Sequence, residues 1–184
     1  MAMRTATTDL EPVLCAIIAT LGDSFRLFHG SNAPVEAPRI LVPARALDFG
    51  HGFYLTSDRR QAERLALLKA RRLRRGRPVV SAFVFDAEAA ATRLATVAFD
   101  GPTLEWLDFV VANRRGVPLG EHHDLAIGPV ANDTTLAVID DYIDARYTAA
   151  EAIARLLPQR LADQFAFLTR VALDHLTFER SEKF

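Results

Sequence analysis

Two short apolar strips, each broken by polar residues, constrain the fold of this chain most. The first strip is residues 27–31, LFHGS, and the second is residues 52–58, GFYLTSD. Runs of this kind predict short buried strands rather than helices. The polar residues interrupt each run at a point where a ligand could approach, so the strand ends are candidate positions for chemistry.

Three residues of these strips have side chains or backbone suited to binding a ligand. His29 offers an imidazole that can hydrogen-bond a sugar hydroxyl, and Gly30 lacks a Cβ, so its backbone can come close to a ligand. Tyr54 offers a flat ring for stacking. Taken singly, His29 is more simply explained as a buried core histidine and Tyr54 as an ordinary strand aromatic. Their occurrence together, in this order, favours a binding site.

The two strips resemble the ADP-ribosyltransferase superfamily, in the branch with a His-Tyr-Glu triad that includes poly(ADP-ribose) polymerases and many bacterial toxins. The resemblance implies an α+β domain with a split β-sheet core and flanking helices. It also implies NAD as the substrate. In that case His29 grips the adenosine ribose, the backbone of Gly30 binds the nicotinamide carboxamide, and Tyr54 stacks on the nicotinamide ring. Ser31 belongs to the same cofactor-binding strip.

The third triad position of that family lies near the start of a late strand. Residues 162–169, ADQFAFLT, have alternating aromatics that predict a strand, and the resemblance places Gln164 where the family has Glu. A glutamine amide can hold a ribose hydroxyl but cannot act as a base at neutral pH. The neighbouring Asp163 points to the opposite face of a strand and is a poor substitute.

The resemblance extends over residues 28–178, which are similar to an uncharacterised family of bacterial ADP-ribosyltransferase-like domains found as small stand-alone proteins. The segment 128–133, GPVAND, is the most distinctive. The other matching segments are 47–54, LDFGHGFY, then 106–109, WLDF, with Asn113-Arg114, and finally 163–165, DQF.

Asn132 and Asp133 follow a Gly-Pro turn and precede a helical stretch. The simpler role for Asp133 or Thr134 is that of a helix N-cap. The functional alternative is that Asn132 or Asp133 lines the cleft and contacts the ribose or the acceptor.

The neighbouring residues His122, His123 and Asp124 are of types that bind zinc. Adjacent strand residues point to opposite faces, and the sequence lacks a set of ligands at suitable spacing, so no metal is expected.

The charge of the chain limits its partners. With 184 residues, 50% of them hydrophobic, the chain should form one domain with a core. Its net charge of −1 argues against general electrostatic binding to nucleic acid, which normally needs an excess of Lys and Arg. Residues 59–77 are nevertheless markedly basic. This stretch could meet the NAD pyrophosphate, an acidic protein or RNA, although a solvated helix face is the simpler interpretation.

The N-terminal segment predicts a short helix packed on the domain. Its apolar run, residues 13–21, is too short to span a bilayer. A secretory signal has basic residues before its apolar run, whereas Asp9 and Glu11 precede this one. Cys15 is the chain's single cysteine, so a reducing compartment is expected. We therefore expect an extension over residues 1–24 and a single domain over 25–184, in the cytoplasm or delivered into that of a target cell, with no membrane partner.

The remaining pattern predicts a series of further elements. Ser57-Asp58 should cap a helix that Gly76 ends, and Trp106 should be a core residue. The final segment, 171–178, fits a strand or a helix. The other predicted ranges are a helix over 59–75, a strand over 79–85, a helix over 103–113, a strand over 125–130, a helix through Tyr142 and another over 149–156.

The resemblance implies an NAD-dependent mono-ADP-ribosyltransferase, an enzyme of the glycosyltransferase class. By family analogy it would be a bacterial toxin, either one of a toxin-antitoxin pair or a delivered effector, that modifies a protein or a nucleic acid. Two alternatives stay open. One is a catalytically impaired module that binds NAD, another nucleotide or a partner protein, and the other is an RNA 2′-phosphotransferase-like enzyme.

Overall fold

The computed structural model describes residues 12–41, 47–117, 122–130, 133–157 and 163–184, with the backbone alone for 133 and 134. These residues form an α+β fold, as the sequence predicts. The elements are α1 Pro12–Leu21, β1 Ser24–Ser31, β2 Phe53–Leu55, α2 Arg59–Leu73, β3 Val79–Asp86, α3 Ala87–Arg93, β4 Thr96–Ala98, α4 Leu104–Arg114, β5 Leu125–Pro129, α5 Asp133–Ile143, α6 Ala149–Leu156, β6 Asp163–Phe167, α7 Arg170–Leu173 and β7 Leu176–Lys183.

The strands form two sheets. One has the order β1-β3-β7 and is antiparallel throughout, and the other has the order β2-β6-β5-β4 with a parallel pair between β4 and β5. An isolated antiparallel bridge between Phe28 and Thr56 links the edge strands β1 and β2. The two sheets therefore meet along one line, at the two strips singled out in the sequence.

Apolar residues from both sheets share one core cluster. Leu27 and Phe83 of the first sheet pack with Phe53, Phe165 and Phe167 of the second, and all five are at most 2% exposed. The helix α1 adds Leu14 to this cluster. A second cluster lies beneath α4, α5 and α6, where Trp106 is fully buried and its Nε1 donates to the Pro129 carbonyl at 3.1 Å. Trp106 is thus a core residue, as predicted.

The ends of α2 show how its sequence sets its length. Asp58 caps the N-terminus by accepting from the Arg60 N–H at 2.8 Å. The prediction that Gly76 ends the helix is wrong, because Arg74 takes the left-handed conformation at the C-cap, with φ of 49°. Glycine is required at position 76 for another reason, since a Cβ there would lie 2.0 Å from the Asn32 carbonyl oxygen.

The C-terminal segment contains both of the alternatives that its sequence allows. The short helix α7 is followed closely by β7, which pairs with β3 from Val79 to Phe85. The sequence pattern missed α3 and β4, which span seven and three residues.

No helix in the described ranges is long and apolar enough to cross a membrane.

Candidate functional site

The site lies where the ladder between β1 and β2 stops. Phe28 and Thr56 exchange two backbone hydrogen bonds of 2.8 and 3.0 Å. If the ladder continued, Gly30 would pair with Tyr54, but the bridge is isolated and the strands separate. A cleft of about 410 Å³ opens at this point. His29, Gly30, Tyr54 and Gln164 all line it, so the structure brings these four predicted site residues together.

The His29 side chain spans the gap between the strands. Its Nδ1 lies 2.7 Å from the Tyr54 carbonyl oxygen and therefore donates its proton there. His29 is 8% exposed, and its ring stacks on Phe53 with a centroid distance of 4.6 Å. Burial, with the nearby Lys69 ammonium, lowers the pKa of His29 to about 4. The imidazole is thus neutral near pH 7, and Nε2 is a hydrogen-bond acceptor.

The buried neutral imidazole predicts a loss of stability in acid. The pKa of His29 rises from about 4 in the folded chain to 6.5 when unfolded, so the unfolded chain takes up a proton first as pH falls. The stabilisation is complete above pH 6.5 and is lost toward pH 4, by roughly 3 kcal/mol in all. Urea denaturation between about pH 8 and pH 4 measures it. His29→Gln should flatten the profile and the exposed His51→Gln should not; identical profiles for His29→Gln and wild type would contradict this account.

Tyr54 is fixed by its hydroxyl rather than free to rotate. The Tyr54 hydroxyl donates to the Gly50 carbonyl at 2.7 Å and accepts from the Phe49 N–H at 3.2 Å. Burial raises the pKa of this hydroxyl, so it stays protonated. The two bonds hold the ring in one position on the cleft wall. A pre-positioned aromatic ring loses little conformational entropy when a flat ligand stacks on it.

Gln164 and Tyr54 lie on the same face of the second sheet. The register pairs Tyr54 with Ala166, and Gln164 is two residues before Ala166 on β6. Side chains two apart on a strand share a face, so Gln164 is a diagonal neighbour of Tyr54. Gln164 is 5% exposed, and its Nε2 donates to the Pro129 carbonyl at 3.2 Å. This bond orients the amide and leaves its oxygen as an acceptor.

Asp163 has a structural role at the edge of the site. Its carboxylate accepts hydrogen bonds from the Thr56 hydroxyl at 2.8 Å, the Ser57 N–H at 2.9 Å and the Ser57 hydroxyl. These bonds tie the start of β6 to the junction between β2 and α2. The carboxylate of Asp163 therefore points toward Thr56 and Ser57, which agrees with the expectation that it is a poor substitute for Gln164.

The reason for glycine at position 30 differs from the one the sequence suggests. A Cβ on Gly30 would lie 2.0 Å from the Ala62 carbonyl oxygen and 2.9 Å from the Ala66 nitrogen, so it is α2 that requires the missing side chain. Gly30 nevertheless lines the cleft through its backbone. Because backbone groups alternate along a strand, the N–H and C=O of Gly30 point the same way as those of Phe28, toward β2.

Two cleft residues have buried polar atoms without a hydrogen-bond partner among the described residues. These are the Gln61 Oε1 and the Arg114 Nη1. Gln61 is 7% exposed, and its Nε2 makes one long bond of 3.5 Å to the Asp163 carbonyl. Arg114 is held by Asp48, with Nη2 2.6 Å from Oδ1, while its Nη1 is 3.7 Å from an Asp140 oxygen, beyond hydrogen-bond distance. Buried polar atoms nearly always have partners, so this acceptor and this donor have hydrogen-bonding capacity that water or a polar ligand can satisfy.

Of the other predicted site residues, Ser31 is the one whose side chain the structure describes. Ser31 is half-buried at the end of β1 and is not part of the cleft wall. Asn132 lies outside the described residues. Asp133 begins α5, but its side chain, like that of Thr134, lies outside the described part of the chain.

A family of proteins of unknown function, DUF3990, matches residues 25–178. The chain belongs to this family. No curated protein and no solved structure matches the chain. The description of the family names no activity.

In this member of the family, sequence reasoning missed several cleft residues. Asp48 and Arg114 fall in segments that the resemblance had already marked, but their ion pair joins residues far apart in the chain. Gln61 lines the cleft from α2 and was also missed, whereas Lys69 and Arg72, which line it too, belong to the basic stretch 59–77 already noted in the sequence. Helical spacing alone could have grouped these three with Leu65, because positions 61, 65, 69 and 72 fall on one face of a helix. Which face meets the cleft depends on the packing of α2 on β1.

Proposed function

We propose that the chain is an NAD-dependent mono-ADP-ribosyltransferase with an ADP-ribosyltransferase-like split-sheet core. The observation that carries the proposal is the meeting of His29, Gly30, Tyr54 and Gln164 in one cleft, at the break in the ladder between β1 and β2. These residues come from three strands and two sheets. Their convergence supports the triad that the sequence resemblance implies, with Gln in the position of Glu.

Each residue has a role that its environment supports. The neutral His29 would accept a hydrogen bond from an adenosine ribose hydroxyl at Nε2. The backbone of Gly30, directed toward the gap, would bind the carboxamide of nicotinamide. Tyr54 would stack on the nicotinamide ring, and the Gln164 amide oxygen would accept from the nicotinamide ribose. The orphan atoms of Gln61 and Arg114 add an acceptor and a donor for the same ligand.

The reaction would break the bond between the ribose C1′ and the nicotinamide nitrogen. Nicotinamide leaves as a neutral ring, and an acceptor atom forms the new bond to C1′ and releases its proton to water. Since the neutral amide of Gln164 cannot take this proton, the residue would orient the ribose and stabilise the oxocarbenium-like transition state. This limits the enzyme to acceptors that are nucleophilic without a base from Gln164, and it disfavours chain elongation on sugar hydroxyls.

The resemblance to the ADP-ribosyltransferase superfamily also suggests a biological role. A bacterial toxin that modifies a protein or nucleic acid, paired with an antitoxin or delivered as an effector, is the role we propose on that basis. One observation favours a second candidate. Gln164 in place of a carboxylate would also suit a module that binds NAD without cleaving it.

Purified protein incubated with NAD and a cell lysate would test the proposal, with nicotinamide release and transfer of labelled ADP-ribose as the two readouts. Release with transfer supports a transferase. Release alone indicates a glycohydrolase or a missing acceptor. NAD binding by calorimetry without release would favour the binding module.

Tyr54 offers a sharper test of the nicotinamide contact. Tyr54→Ala should weaken NAD binding about tenfold or more, because stacking on an aromatic ring contributes about 1–3 kcal/mol. Tyr54→Phe keeps the ring and removes only the bonds to Phe49 and Gly50, so we expect its dissociation constant to stay within a few-fold of wild type. Titration calorimetry measures both. Equal losses in the two variants would mean that the hydroxyl, not the ring, matters.

A further inference from the structure

The cleft wall formed by α2 changes character along the helix. Gln61, Leu65, Lys69 and Arg72 line the cleft at spacings of four, four and three residues, so they share one face. Gln61 is buried, Lys69 is half-buried and Arg72 is exposed. The wall therefore runs from an amide at the floor of the cleft to two cations at its rim.

These two cations lack carboxylate partners of the kind that Arg59 and Arg64 have on the same helix. Arg59 pairs with Glu63 and Glu182, and Arg64 lies 3.6 Å from Asp58. Within the described ranges, neither Lys69 nor Arg72 makes an ion pair. Burial lowers the pKa of Lys69, since its charge is partly removed from water without compensation. A half-buried cation of this kind favours an anionic ligand.

The position of Lys69 indicates which part of a ligand it would meet. Its Nζ lies 3.5 Å from Nε2 of His29, the atom that would accept from the adenosine ribose. In a dinucleotide the diphosphate is attached to the 5′ carbon of that ribose. Side chains three apart on a helix have Cβ atoms about 5–6 Å apart, which suits two linked phosphates.

We propose that Lys69 and Arg72 bind the diphosphate of NAD. The inference rests on the proposed function, because it uses the ribose contact at His29. Lys69 would act as a point charge and Arg72 as a fork that can bind two phosphate oxygens. Of the basic side chains in the stretch 59–77, only these two line the cleft. The remaining cations of the stretch are not part of this site.

Calorimetric titration of the full chain with ADP and with nicotinamide riboside tests the inference. ADP carries the diphosphate, and nicotinamide riboside carries no phosphate. Lys69→Gln and Arg72→Gln should each weaken ADP binding about tenfold, because each removes a charge-assisted contact, and should leave nicotinamide riboside binding unchanged. Arg71→Gln is the matched control, since it removes the same charge from the same turn of α2 outside the cleft.

The outcomes separate this inference from the proposed function. Equal ADP affinity in all variants, or an equal loss in Arg71→Gln, would overturn the diphosphate site even if the wild-type protein releases nicotinamide from NAD. Failure of the wild-type chain to bind ADP would overturn it as well. Selective loss of ADP binding in Lys69→Gln and Arg72→Gln supports the site, including the case in which no nicotinamide is released and the proposed function fails.

Discussion

Gln164→Ala is expected to slow the release of nicotinamide from NAD about a hundredfold while the dissociation constant for NAD changes only a few-fold. The size of the effect follows from removing one pre-oriented group that stabilises a transition state. The amide is pre-oriented because its Nε2 donates to the Pro129 carbonyl at 3.2 Å. Single-turnover release of nicotinamide measures the effect, with thermal unfolding to confirm that the variant folds. Unchanged release would remove Gln164 from the catalytic assignment.

Gln164→Glu is the informative companion, because it introduces the carboxylate that the family triad usually has. At this position the carboxylate would face the Pro129 carbonyl oxygen without a proton to donate, and burial would raise its pKa. We therefore expect it to be less active than wild type near neutral pH and to recover partly as the pH falls and the carboxyl is protonated. Full activity at neutral pH would contradict the role given to the Pro129 contact.

Gly30→Ala is expected to destabilise the fold by about 3 kcal/mol and to weaken NAD binding as well. The new Cβ would lie 2.0 Å from the Ala62 carbonyl oxygen, so α2 must move away from β1. That movement displaces the wall that carries Gln61 and Lys69. Urea denaturation gives the change in the free energy of unfolding, and calorimetry gives the affinity for NAD.

Gly101→Ala is the control for this experiment, because a Cβ at Gly101 meets nothing within 4 Å. Its stability should stay within about 0.5 kcal/mol of wild type. Equal stability of Gly30→Ala and this control would contradict the close approach of α2 to β1 at Gly30.

The sequence predicted the strands of the site well because their signals are local. The strips around His29 and Tyr54 and the alternating aromatics before Thr169 became β1, β2 and β6. The placement of Tyr54 and Gln164 on one face is set by the register between β2 and β6, which no local pattern reveals. The ion pair of Asp48 with Arg114 is likewise a long-range contact.

The missed elements have equally physical reasons. The helix α3 is short, and β4 has three residues, too few for a periodic signal. Gly76 misled the prediction of the end of α2, because a glycine near a helix end usually supplies the left-handed cap. Here Arg74 takes that conformation, and Gly76 is needed for its contact with Asn32.

The isolated bridge between Phe28 and Thr56 gives a bound ligand a second role. The next rung, between Gly30 and Tyr54, is left out, so the edges of the two sheets are joined there by the side chain of His29. A dinucleotide bonded to the backbone of Gly30 and stacked on Tyr54 would take the place of that rung. If NAD is the substrate, as proposed, it would then join the two sheets to each other, and release of nicotinamide would remove that link.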